Sequence, residues 1–218
     1  MSKLQLQIRF LLVILALFGF LFSCAHLPPE RPETPVETVP PEVVPEKPEP
    51  SEYIMGDGRI AGEQLALFLE RNNPQVDRGF IQALAGFYID EAAAEGVNHD
   101  TAFAQMCLET GFLRFGGLVK PEWNNFCGLG AIGPQQPGEI FPDPRTGVRA
   151  HIQHLKAYAT DEPLNKTLVD PRYKWVQKGS SPSIHGLSGT WAADKSYSVK
   201  IASILQRLYD FSYGENIL

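Results

Sequence analysis

Residues 98–111 read NHDTAFAQMCLETG, a run that opens on an asparagine and closes on a glycine. Asn98 suits a helix N-cap, because its side-chain oxygen can take an orphan amide of the first turn, and Asp100 puts negative charge at the positive end of the helix dipole. Ala102, Phe103, Ala104, Met106, Cys107 and Leu108 leave the helix apolar nearly all round, which predicts a helix enclosed by others. Glu109 is its anomaly. Gln105 lies one turn earlier on the same face, so a single polar stripe runs to the carboxyl end. There, partial desolvation and the negative end of the helix both disfavour the carboxylate and raise its pKa. A carboxyl that stays protonated near neutral pH is what a glycosidase requires of the general acid that protonates the leaving oxygen. On this physics alone, a structural glutamate bonded to loop amides is the more ordinary reading.

The flanking segments supply the enclosing helices. Helical periodicity starts near Gly62 in EQLALFLERN and breaks at Asn73-Pro74. It resumes from about Arg78 to Glu95, with Phe80, Leu84, Phe87 and Tyr88 spaced for one buried face, until Gly96 ends it. Gly116 to Gly147 differs in kind: rich in glycine and proline, with NNF, GAIG and a PDP turn, it predicts loops and a small hairpin. Periodicity returns from Val148 to Tyr158 and from Ser196 to Tyr209. The expected fold class is α+β, mostly α, a helical core interrupted by a small glycine-rich β-lobe. With few residues to build a core, that lobe is expected to open at low free energy and to close on substrate.

Of the 218 residues, residues 1–23 have the layout of an export signal. Lys3 and Arg9 precede an apolar run from Phe10 to Phe22, and Ser23 is a small residue before Cys24. Leu21-Phe22-Ser23-Cys24 resembles a relaxed bacterial lipoprotein box, with Phe22 where a small residue is preferred, so Cys24 is the expected lipidated residue. An uncleaved signal anchor would hold the domain on the same side of the membrane. Residues 24–55 carry the lipidated cysteine and a linker in which proline alternates with glutamate. In extended polyproline form, Leu27 to Pro50 would span on the order of 70 Å. Residues 56–218 then form one domain of ordinary size, facing a cell envelope. The net charge of −6 and the scatter of 19 basic residues point away from nucleic acid. Cys107 and Cys127 are either disulfide-bonded, as an exported location permits, or buried free thiols.

Several blocks carry a resemblance: Ala104 to Phe112, Asn124-Asn125-Phe126, Gly147 to Leu155, Trp191-Ala192, and Tyr197. Together, from about Gly79 to Tyr213, they resemble the endo-β-N-acetylglucosaminidase domain of flagellar and autolysin-type peptidoglycan hydrolases. The resemblance implies a lysozyme-like fold, peptidoglycan glycan strands as substrate and Glu109 as the acid; no cofactor is expected. Phe112 stands where the family pattern has tryptophan, keeping an aromatic platform. The resemblance also implies a second carboxylate on the mobile lobe. Glu139 is the first candidate and Asp143 the second, with Glu122 open as well, and each could instead be a solvated loop acid. An N-acetyl group of the sugar could itself be the nucleophile. Tyr197 is expected near the cleavage point.

Gln105, Phe112, Trp123, Asn124 and Asn125 are the expected substrate contacts, the two asparagines because their amides can read N-acetyl or hydroxyl groups. Trp123, in a polar loop, suits a sugar-stacking groove, whereas Trp191 suits core packing. His151 and His154 have a helical spacing that can share a metal. Without a nearby third ligand they read as a packing or helix-surface feature, and no metal is expected. Three rivals remain: a muramidase or lytic transglycosylase of the same fold, a zinc amidase or peptidase, and a wall-binding protein without catalysis.

Overall fold

A computed structural model describes residues 47–214. The expected export signal, Cys24 and the expected linker up to residue 46 lie outside the described residues. Among the described residues five α-helices follow one another: α1 (Gly62–Asn72), α2 (Arg78–Glu95), α3 (His99–Thr110), α4 (Pro144–Ala159) and α5 (Tyr197–Tyr213). Local chemistry sets their ends. Asp77 accepts from Phe80 N at 2.8 Å and opens α2, and Gly96, left-handed at φ 73°, closes it. Asn98 caps α3 through the amides of Asp100 and Thr101.

Helix α3 is the axis of the core. It packs on α2, α4 and α5, and Thr101 through Cys107 are all buried. Truncating one of its large side chains, such as Phe103, would cost about 3–5 kcal/mol. Asp100 does more than meet the helix dipole: fully buried, it accepts from the amides of Arg59 and Ile60 and from the hydroxyl of Tyr209. It thereby ties α3 to the incoming chain and to α5. Buried Glu91 and Glu95 join α2 to α4 and the following loop, Glu91 through Arg149 at 2.8 Å and Lys166 at 2.9 Å, Glu95 through Lys156 at 3.0 Å. Removing one partner of such a buried pair typically costs about 3–5 kcal/mol, because the other charge is stranded.

The chain joins this body before residue 56. Ile54 is fully buried, and its amide and carbonyl pair with Pro182 O and Asn98 N. Helix α4 begins four residues before its apolar periodicity, because Asp143 caps it through Thr146 and Pro144 fits the first turn. Gly147 belongs to that helix: a Cβ there would lie 1.8 Å from Asn124 O.

The expected β-lobe is a set of loops. Among the described residues its only ladder is an isolated bridge between Gly133 and Gln136. Pro134 and Pro137 remove amide donors, and Gly128, Gly130 and Gly138 take positive φ, so extended pairing cannot propagate. A single side chain substitutes for the missing ladder. Buried Asn125 donates to Leu129 O and Glu139 O and accepts from Leu129 N, clamping two segments that also pair through Glu139 N and Leu129 O at 2.8 Å. The loops have a small core of their own, Cys127, Leu129 and Phe141 against Ala150. Cys107 and Cys127 are buried free thiols, not a disulfide.

Candidate active site

Helix α3 delivers Glu109 to its carboxyl end, where the chain turns away through a strained exit. Gly111, Phe112, Leu113 and Phe115 all take positive φ, which disfavours the three non-glycine residues. The exit is held from several sides: Thr110 Oγ1 accepts from Leu113 N at 2.9 Å, Phe115 N donates to Thr110 O, and Asn73 Nδ2 donates to Phe112 O at 2.7 Å. This turn uncovers Glu109 at the floor of a cleft of about 200 Å³, walled by Phe115, Leu118, Val119, Asn125, Gly128 and Ala131.

Two donors converge on one oxygen of Glu109. Trp191 Nε1 donates to Oε1 at 3.1 Å, and the Tyr197 hydroxyl donates to the same atom. The other oxygen, Oε2, lies beside Gly128, where an added Cβ would come within 3.4 Å. Burial pushes the pKa of Glu109 above the ordinary glutamate value, and the bonds from Tyr197 and Trp191 hold it back in part. With Oε1 occupied by donors, the proton of the acid form sits on Oε2.

Behind Glu109 a line of buried polar groups crosses the core. Gln105 Nε2 donates to Tyr197 Oη at 2.8 Å, Gln105 Oε1 faces His151 Nε2 at 2.9 Å, and His151 Nδ1 meets the Tyr88 hydroxyl at 2.9 Å. Burial depresses the pKa of His151 to about 3, with nearby His154 adding to the effect, so the ring is neutral. Trp191 is wedged against His151, His154 and Tyr158, with centroids 5.8, 5.0 and 5.6 Å away. His154 in turn bonds Asp170 at 2.7 Å. The two histidines are therefore packing residues of the core, one on the line to the acid and one behind the tryptophan. Among the described residues no cluster of three metal-ligating side chains occurs.

The remaining sequence candidates divide. Tyr197 stands against Glu109, its hydroxyl donating to Oε1. Gln105 is fully buried with both ends of its amide used, so it supports Tyr197 and does not face the cleft. Asn125 lines the cleft, but its amide is spent on the loop clamp and is not free to read a sugar. Asn124 donates to Phe141 O, and Trp123, under the Lys120 ammonium at 5.9 Å, sits in the adjoining short turn Pro121–Trp123. Neither is among the cleft-lining residues. Phe112 turns toward α1 and α5, its ring 6.0 Å from Phe68 and beneath the Arg207 guanidinium, so it is no platform for this cleft.

Among the acids, Glu139 is held by Arg172 Nε at 2.7 Å. Asp143 is the cap of α4, and the bonds from Thr146 hold its carboxyl below the ordinary range. Glu122 is exposed. Sequence reasoning missed the direct bond of Trp191 to Glu109, the burial of His151 and Tyr88 behind it, and the partner of Glu139. Spacing could not have supplied those contacts, since the pairs lie from 33 to 82 residues apart.

Comparison with known proteins bears on the same span. The family model described as mannosyl-glycoprotein endo-beta-N-acetylglucosaminidase matches residues 85–210, which take in Tyr88, Gln105, Glu109, His151, Trp191 and Tyr197. An uncharacterized protein of Borreliella burgdorferi is 41% identical over 160 residues, covering 73% of this chain and 78% of that protein. A cleft with a part-buried glutamate, its pKa raised by desolvation, at the end of its central helix thus lies within a match to more than half of the chain, and the chain belongs to the glucosaminidase family of glycosidases.

Proposed function

We propose that this chain is an exported, lipid-anchored enzyme that hydrolyses the β-1,4 bond between N-acetylglucosamine and N-acetylmuramic acid in peptidoglycan, with Glu109 as its general acid. The observation that carries the reading is the pair of donors on Glu109 Oε1, which leaves Oε2, beside Gly128 of the cleft wall, as the oxygen able to carry the acid's proton. In the first step Oε2 gives its proton to the glycosidic oxygen as the C1–O bond breaks, and Trp191 and Tyr197 stabilise the carboxylate that forms.

The pairing of Glu139 with Arg172 favours the sugar's own N-acetyl oxygen as the group that attacks C1. Water then adds at C1 and returns a proton to Glu109, regenerating the acid. Glu139 keeps a supporting role as a fixed negative charge on the loop side. Export and acylation at Cys24 would place the domain before its polymer, with the Pro/Glu-rich linker as spacer.

Mass spectrometry of muropeptides released from purified wall tests the assignment of bond. N-acetylglucosamine at the new reducing ends supports it, whereas reducing N-acetylmuramic acid would make the chain a muramidase. An anhydro sugar would make it a lytic transglycosylase, the second reading that a site with one free carboxyl favours.

A further inference from the structure

The line of groups behind Glu109 has a direction, and its far end sets that direction. The Tyr88 hydroxyl is wholly buried, and among the described residues its only hydrogen-bond partner is His151 Nδ1. A buried O–H without an acceptor is costly, so Tyr88 must donate, and Nδ1 must carry a lone pair. A neutral imidazole then bears its proton on Nε2, which donates to Gln105 Oε1. That turns the Gln105 amide nitrogen toward Tyr197 Oη, so the phenolic proton of Tyr197 can point only at Glu109. The reverse direction would put the proton of Glu109 on Oε1, facing Tyr197 and away from the cleft, and would leave Tyr88 without an acceptor.

We propose that Tyr88 and His151 are positioning residues, which touch no substrate but orient the Tyr197 proton onto Glu109 Oε1 and so keep the acid's own proton on Oε2. The inference rests on the reading of Glu109 as the general acid. The titratable groups facing this line are Tyr88 from α2, Cys107 from α3, Cys127 from the loops, His154 on α4 itself and Tyr197 from α5.

A double-mutant cycle on the full chain in detergent tests it, with purified wall as substrate. Tyr197→Phe removes the donor, and the basic limb of the kcat/KM profile should rise by about half to one pH unit, as loss of one hydrogen bond to the carboxylate implies. Tyr88→Phe should move the limb the same way by a smaller amount and lower kcat severalfold while KM stays within about twofold. In the Tyr197→Phe background, Tyr88→Phe should move the limb no further, because its effect passes through Tyr197. His151→Gln, which keeps both an acceptor for Tyr88 and a donor for Gln105, should recover most of the activity lost in His151→Leu.

Infrared difference titration of the chain against Glu109→Gln reads the Glu109 pKa without turnover and should reproduce the same order. Additive shifts in the cycle, or His151→Gln no better than His151→Leu, with Glu109→Gln inactive, overturn the positioning role and leave the acid in place. If Tyr88→Phe does not fold, the His151 pair decides the matter by the same criteria. Full activity in Glu109→Gln overturns both.

Discussion

The Tyr197 hydroxyl donates to Glu109 Oε1 across 88 residues of chain, joining the first turn of the last helix to the last turn of the central one. The bond is poised between two demands. It favours the anion, which the enzyme needs after proton transfer, while burial favours the acid, which it needs before. Tyr197→Phe is therefore expected to raise the Glu109 pKa further, shifting the basic limb of activity to higher pH while lowering kcat about tenfold. A pH–rate series on purified wall checks both, and a limb that moves to lower pH would be the wrong sign.

His151 makes a prediction about acid stability. Its folded pKa lies well below the ordinary 6.5, so folding excludes the proton that the unfolded chain binds. The stability it contributes is fully present above about pH 6.5 and is lost as the pH falls toward about 3. His151→Gln cannot titrate, so the gap between its melting temperature and that of the unaltered chain should change in its favour as the pH falls through this window. Parallel melting curves from pH 7 to 4 would contradict the burial of a neutral imidazole.

The two loop acids should part company. Asp143 caps α4, so Asp143→Ala should cost about 1 kcal/mol of stability, within the usual range for an N-cap, with the rate nearly unchanged. Glu139 is half-exposed and paired with Arg172, so Glu139→Ala should cost less stability but lower the rate at least tenfold. Thermal melts beside wall-clearing rates on the two variants give the comparison. Unchanged rates in both would remove the supporting charge of Glu139 from the chemistry and leave the substrate's N-acetyl group to act at C1 without it.

Cys24 carries the anchoring claim. Cys24→Ala should release the chain from membranes, because two or three acyl chains are the strong anchor once a signal is removed. Fractionation in high salt reads this directly, and a variant that stays in the membrane would indicate an uncleaved signal anchor.

The helices are legible in the sequence because their signals are local. Asp77, Asn98 and Gly96 act within one turn, and the apolar residues of α3 announce a buried helix wherever it packs. Glu109 is legible for the same reason, as one carboxyl at the end of an apolar helix. The Gly116–Gly147 segment is not legible as hairpin or loop, because glycine and proline mark both, and only the Asn125 clamp shows which one formed. Phe112 and Asn124 stand at left-handed positions and turn toward Phe68 and Phe141, while Asn125 lines the cleft with its amide spent on the clamp to Glu139; those partners lie 14 to 44 residues away and spacing does not announce them. Gln105, His151 and Tyr88 read as separate polar residues on three helices, and only packing makes them one line.

The most direct test is Glu109→Gln assayed on purified peptidoglycan, with released muropeptides followed by mass spectrometry. The substitution keeps size and hydrogen-bonding capacity for Trp191 and Tyr197 but removes the transferable proton. The account predicts a folded protein, with a melting temperature near that of the unaltered chain at acidic pH, that still binds wall and releases no fragments. Release of fragments at the unaltered rate by folded Glu109→Gln would contradict it.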